Sequence, residues 1–167
     1  MPPDERDPEE ILEVSSPVCY AGEYDAPPPA PLEGTELAAF LDVLVESERA
    51  GARVLARWCH EGAEGAGVDP AVLAAVRDDE GRFCAGLGAH MRRLGMAPSA
   101  ATGKFYDKAM TMAAWPDRLR FLDKGQGWVA REIREKLPRV ADPDLAAFLR
   151  DMLDRHELNL RLCAPPA

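Results

Sequence analysis

The chain has 167 residues, 47% of them hydrophobic, enough for one domain with an ordinary core that needs no disulfide staples. Its formal net charge is -9, and Lys and Arg are interspersed with Asp and Glu, which excludes the basic face that a nucleic-acid partner requires. No run approaches the roughly 18 uninterrupted apolar residues of a membrane span, and the acidic, Pro-rich start lacks the basic-then-apolar pattern of a secretory signal, so a cytoplasmic protein without membrane contact is expected.

Residues 1–34 read as an arm: they are rich in Pro, Asp and Glu, and four prolines fall between Ala26 and Pro31. The first ten residues read as disordered, whereas Ser15 to Tyr20 form a less polar island suited to docking. The rest, 35–167, reads as one helical domain. Thr35 is the expected N-cap of a first helix of about six turns that loses its pattern at Gly62, Gly65 and Gly67. A second helix is expected from the Asp69-Pro70 start to a stop at Gly95, since Asp caps and Pro is already fixed at helical φ. Met96 to Ala114 is too long for a tight turn and reads as a crossover with a short helix near Phe105 to Met112. A third helix runs from Pro116 to Pro138, and a second Asp-Pro pair, Asp142-Pro143, opens a fourth that ends before Pro165. Two short connections separated by a long one predict an all-α, antiparallel four-helix bundle.

Three of these helices place a polar residue on the face that the 3.6-residue period buries. In the first, Leu37, Leu41, Leu44, Gly51, Val54 and Leu55 share a face with Glu48. In the second, Val72, Val76, Phe83, Leu87 and His90 share one with Glu80; Asp79 competes with Glu80 for the inward direction, and Glu80 is preferred. In the fourth, Leu145, Leu149, Met152 and Cys163 share one with His156 and Asn159. Carboxylates and an imidazole meeting inside a bundle are either metal ligands or a hydrogen-bonded polar layer, because unpaired burial costs too much. In the second case Glu48 pairs with His156 or Arg131. The third helix offers Gln126, Lys124 or Glu132 to such a layer, and its Gly125 and Gly127 each cost about 1 kcal/mol against Ala, so close approach of another segment or space for a ligand must offset them.

Other candidates have structural explanations. His90 lies ten residues, about 15 Å, from Glu80 and is too far to share its centre. His60 suits the C-terminal dipole of the first helix. Trp58, Trp115 and Trp128 are expected at bundle ends or crossover contacts, with Phe105 and Tyr106 pinning the crossover. Cys19, Cys59, Cys84 and Cys163 include no C-x-x-C pair and read as reduced thiols.

The arrangement resembles the ferritin-like superfamily over Thr35 to Cys163. More narrowly, Glu48-Arg-Ala-Gly, Arg77-Asp-Asp-Glu80, Thr102-Gly-Lys-Phe-Tyr106, Phe121-Leu-Asp-Lys-Gly-Gln-Gly-Trp128 and Met152-Leu-Asp-Arg-His156 resemble a group of uncharacterised bacterial ferritin-like proteins that carry a Ser-Ser-Pro-x-Cys element in the arm. The resemblance implies the fold and matches Glu48, Glu80 and His156 to ligand positions. Phe83 stands where a second His is expected, and Leu153 where a Glu is, so the surviving set suits one Fe, Mn or Zn ion. Two function classes follow: a metal-binding protein or redox enzyme, with Asn159 or Gln126 tuning the site, and a metal-free bundle serving oligomerisation or protein interaction. A homodimer is the expected assembly.

Overall fold

The computed structural model describes residues 27–163, and every regular element within them is helical. The Ser15 to Tyr20 island, the first ten residues and Cys19 lie outside the described residues. In chain order the elements are α1 (Gly34–Glu61), α2 (Pro70–Arg93), a short α3 (Phe105–Met110), α4 (Trp115–Lys136) and α5 (Pro143–Leu162), with a 3-10 turn at Leu137–Arg139 before α5. No helix among the described residues is long and apolar enough to cross a membrane.

Local chemistry explains most boundaries. The Asp69 carboxylate accepts from the Ala71 N–H at 2.8 Å and Pro70 opens α2, while Asp142 accepts from the Leu145 N–H at 2.8 Å ahead of Pro143. At the far end of α2, Gly95 adopts φ 77°, which lets Met96 N–H reach Met91 O and Gly95 N–H reach Arg92 O. That pair of bonds is a Schellman stop and depends on a left-handed residue at Gly95. The start of α1 differs from expectation: Gly34 is already helical in its bonding, Glu33 occupies the N-cap position without a side-chain bond, and Thr35 lies inside the first turn.

Asp142 also receives two bonds from Arg93, one of 3.0 Å and one of 2.5 Å, tying the start of α5 to the end of α2. The Arg93 guanidinium and then the Leu145 N–H hold its pKa down at about 2. A depressed carboxylate contributes stability that is present above its unfolded pKa of about 3.9 and is lost as pH falls through its folded value. Asp142→Ala should therefore lower the thermal midpoint at neutral pH, and the gap to wild type should close as pH falls from about 4 to 2. A gap of unchanged size at about pH 2 would contradict this.

The path of the chain follows from its long-range bonds. The crossover lies lengthwise on α1: Ser99 N–H donates to Asp42 at 2.7 Å, Arg49 donates to the carbonyls of Ser99 and Ala101, and Arg53 lies over the Tyr106 ring at 4.6 Å. Asp42 to Arg53 spans eleven residues of α1, about 16 Å at 1.5 Å per residue, so the crossover carries the chain along that helix. Accordingly α4 starts beside the end of α1, where Arg118 pairs with Glu61 at 2.7 Å, and finishes beside its start, where Arg139 pairs with Glu36 at 2.8 Å. Helix α5 begins at the Arg93 end of α2 and runs back along it, with Arg82 meeting Asp151 at 2.9 Å. Thus α4 is antiparallel to α1, and α5 to α2.

Two apolar clusters fill the interior. One joins Phe40, Leu41 and Leu44 of α1 to Phe83 and Leu87 of α2, Val129 and Ile133 of α4, and Leu145 and Leu149 of α5. Leu32, from the Pro-rich approach to α1, is buried in it, held by its N–H to Arg139 O at 2.8 Å. The other joins Val54, Leu55 and Trp58 to Leu73, Val76, Leu119, Leu122 and Cys163. Trp58 packs edge-on against Trp115 at 6.1 Å, and Arg118 lies over both rings. In every long helix, the residues between the two clusters include a buried polar side chain.

Candidate metal centre

The layer between the clusters takes Glu48 from α1, Glu80 from α2, Gln126 from α4 and His156 from α5, all buried. Each lies near the middle of its helix on the same stripe as the apolar residues above and below it, so the helical period alone turns it inward. Glu48, Glu80 and His156 each present a ligand-capable atom, and these atoms all lie within 4.8 Å of one another. Two ligands on opposite sides of one ion, each bonded at about 2.1 Å, stand roughly 4.2 Å apart, so a small inward adjustment would bring the set to bonding distance. Asp79 is turned away toward Arg82 at 3.5 Å and Arg155 at 3.6 Å, which settles the competition for the inward direction in favour of Glu80.

The bonds around the group determine what each atom offers. His156 Nδ1 lies 3.0 Å from Met152 O, one turn back in α5, and a carbonyl can only accept, so Nδ1 carries the proton. Nε2 then faces the carboxylates, 3.2 Å from Glu48 Oε1. Despite that proximity, Glu48 Oε1, Glu48 Oε2 and His156 Nε2 are all buried without a hydrogen-bond partner among the described residues. Gln126 Nε2 donates to Glu80 Oε1, whereas Gln126 Oε1 is buried and unpartnered.

Electrostatics follow from burial and the charge pair. Burial pushes the Glu80 carboxyl well above the usual carboxylate range, and the negative charge of Glu48 pushes the same way; the Gln126 bond opposes them and does not prevail. For His156 burial is the largest influence and favours the neutral ring, but the Glu48 charge, the Glu48 contact and the Met152 carbonyl outweigh it and leave the pKa raised. Without a metal, Glu80 is thus driven toward its protonated form and His156 toward its charged form.

Some expectations for the surroundings hold and others need correction. Asn159 is buried but does not orient the imidazole; the Met152 carbonyl does. Arg131 is exposed, so of the two expected partners it is His156 that stands beside Glu48. Of the three residues weighed in α4, Glu132 pairs with Lys136 and Lys124 is exposed, leaving Gln126 as the inward one. Phe83 lies edge-on to Phe148 at 5.8 Å and tilted over His156 at 6.0 Å, and its ring offers no ligand atom to the group. His90 packs tilted against Phe148 at 4.9 Å and meets Arg93, apart from the centre. Trp128 is 37% exposed in the middle of α4, away from the ends of the fold, and shares a pocket wall with Phe105 of the crossover.

Sequence periodicity did not reveal the role of Gly51. A Cβ on Gly51 would stand within 3 Å of all three carboxyl atoms of Glu80, so this glycine provides the cradle in which the carboxyl lies. Its signal was present, a glycine three residues after an inward carboxylate, but the residue that fills the space comes from another helix.

A family model described as a domain of unknown function (DUF6306) matches residues 35–164, and the chain belongs to that family. No curated protein and no solved structure matches it.

Proposed function

We propose that this DUF6306 member is a metalloprotein in which Glu48, Glu80 and His156 hold one divalent ion, Fe(II), Mn(II) or Zn(II), inside a ferritin-like four-helix bundle preceded by an arm whose last residues, Leu32 among them, pack on the bundle. The observation that supports this most directly is the set of orphaned atoms: three buried ligand atoms on Glu48 and His156 have no hydrogen-bond partner, and a cation between the residues would meet the imidazole Nε2 and a Glu48 oxygen together. Two carboxylates and a neutral imidazole balance a dication, and three protein ligands leave coordination positions free. A bound ion would supply Lewis acidity in the polar layer between the two apolar clusters and, if iron or manganese, one-electron chemistry. The chain's own part is defined. The Met152 carbonyl holds the His156 proton on Nδ1 and keeps Nε2 available, Gln126 fixes one oxygen of Glu80, and Phe83 with the apolar clusters keeps water from the far side.

A specific observation favours a second reading, a metal-free bundle whose polar layer fixes helix register. Glu48 and His156 already form a close ion pair, and Gln126 already bonds Glu80, so the charges balance without an ion. Elemental analysis of protein purified without an affinity tag, before and after anaerobic loading with Fe(II), Mn(II) or Zn(II), separates the two. The metal reading expects about one ion per chain in wild type and none in folded Glu48→Gln and His156→Gln proteins, with folding checked by circular dichroism. Failure of wild type to take up any of the three ions, or full retention in both variants, would remove the metal reading and leave the polar-layer one.

We infer also a homodimer in a reducing, cytoplasmic setting. Exposed Val43 and Trp128 offer apolar contacts to a second copy, and Cys59, Cys84 and Cys163 are all free thiols. Sedimentation as a monomer at micromolar concentration, or fewer than four titratable thiols in the denatured chain, would overturn the respective half of this inference.

A further inference from the structure

Of the three side chains assigned to the ion, Glu80 borders a cavity of about 60 Å³ between α1, α3 and α4, whereas Glu48 and His156 do not. Ser47, Phe105 and Trp128, each partly exposed, border it toward the surface, and buried Leu122 and Val129 border it toward the core. Ser47 and Glu80 contribute side-chain oxygens to a wall that is otherwise mainly apolar. Elsewhere the polar layer is covered: the two apolar clusters close it above and below, and Phe83 lies against His156.

Two glycines keep this space open. Gly51 and Gly125 border the cavity from helix interiors, where glycine is a poor helix former, and neither has a positive φ, so the backbone does not require them. Room does. A Cβ on Gly51 would lie within 3 Å of all three carboxyl atoms of Glu80, and one on Gly125 would stand 2.9 Å from the Phe105 ring. Close packing normally fills such space, because lining atoms lose dispersion contacts across it. The outer wall also rests on a short element: Phe105 opens the six-residue α3, which has no side-chain cap, and its ring is stacked on Phe121 at 4.5 Å.

We propose that this cavity is the passage by which the divalent ion enters and leaves the centre, with Glu80 the first of the three ligands it meets and the Phe105 ring the wall that yields as it passes. This rests on the metal reading above. The cavity has room for only a few waters, so an ion with its full hydration shell does not fit. It sheds waters on the way in, and other oxygens must replace them. Ser47 donates its hydroxyl proton to Val43 O at 2.8 Å, which leaves its oxygen lone pairs for a passing cation. The Glu80 carboxyl takes the next position, and Glu48 and His156, already 3.2 Å apart, complete the set from the far side.

The test measures rates as well as affinity on the full chain. The probe is whichever of Fe(II), Mn(II) and Zn(II) the wild type retains; uptake is followed in stopped flow with a metallochromic dye reporting the free ion, release by transfer to excess EDTA, and Kd by chelator competition. Phe105→Ala should speed uptake and release alike by about tenfold and leave Kd within about twofold, because a wall that yields changes the barrier and not the bound state. Ser47→Phe, which adds bulk at the partly exposed rim, should slow both. Phe148→Ala is the control: the same truncation against Phe83 and Gly86, outside the cavity wall, should leave both rates as in wild type. If Phe105→Ala does not fold, Ser47→Phe against Phe148→Ala decides. Unchanged rates in the cavity variants would place the entrance elsewhere, and equal acceleration by Phe148→Ala would mean entry by general opening of the bundle; either result overturns the passage while leaving the metal reading intact. A wild type that takes up none of the three ions removes the metal reading and the passage together.

Discussion

Above about pH 5 the metal-free protein is expected to lose stability as pH rises, and a divalent ion is expected to reverse that trend. His156 has a folded pKa above its usual value, so its contribution is fully present below about pH 6.5 and is lost as pH rises through the folded pKa. Glu80 acts in the same direction: its folded carboxyl keeps a proton that the unfolded chain releases near pH 4.3, so rising pH favours unfolding until the folded pKa is passed. Each proton held only by the folded state removes about 1.4 kcal/mol per pH unit, or roughly 3–5 °C in melting midpoint for a chain of this size. A dication bound by two carboxylates and a neutral imidazole displaces both protons, so affinity should rise with pH by up to about a hundredfold per unit while both are still held. Calorimetry in buffers of different ionisation enthalpy would count the protons: close to two in wild type and one in Glu80→Gln, where that variant still binds. A midpoint that is flat from about pH 6 to 9 without metal would show that the buried group does not hold the protons assigned to it. Proton-free metal uptake would place the ion elsewhere.

What could be read from the chain divides by the range of the interaction. Asp69-Pro70 and Asp142-Pro143 are local signals, and both appear in the structure as capped helix starts with the expected side-chain bonds. The inward phase of Glu48, Glu80 and His156 was legible too, because a period of 3.6 accumulated along twenty or more residues leaves little freedom of direction. The N-cap of α1 was misassigned to Thr35, since Gly34 can open the helix with a positive φ that residue-type preference does not reveal. Leu32 was not recognised as core: a single apolar residue between Pro31 and Glu33 has no periodicity, and its burial depends on a backbone bond to Arg139. Partners supplied by backbone or by another helix were hidden for the same reason. The Met152 carbonyl carries no residue-type signature, and the Gln126 bond to Glu80 joins side chains 46 positions apart.

Gly51→Ala is expected to destabilise the protein, although Ala is favoured over Gly inside a helix by about 1 kcal/mol. The added methyl would overlap the Glu80 carboxyl, which is buried and can give way only by surrendering its bond from Gln126. Overpacking of this kind costs about 1–3 kcal/mol, enough to outweigh the gain in helix propensity. Gly81, one residue beyond Glu80 in α2, supplies the internal control: it is exposed, its backbone is helical, and a Cβ there meets nothing within 4 Å. Gly81→Ala should therefore stabilise by about 0.4–1 kcal/mol, so two identical substitutions in helix interiors are expected to differ in sign. Urea titration of both proteins measures this directly. A double-mutant cycle then assigns the cause, because the cost of Gly51→Ala should largely disappear in a Glu80→Ala background where the overlapping carboxyl is absent. If Gly51→Ala were neutral or stabilising, or if its cost persisted undiminished in that background, the cradle would not be what positions Glu80. With the cradle confirmed, the same substitution should also reduce metal uptake, since the carboxyl displaced from Gly51 is one of the three groups that would hold the ion.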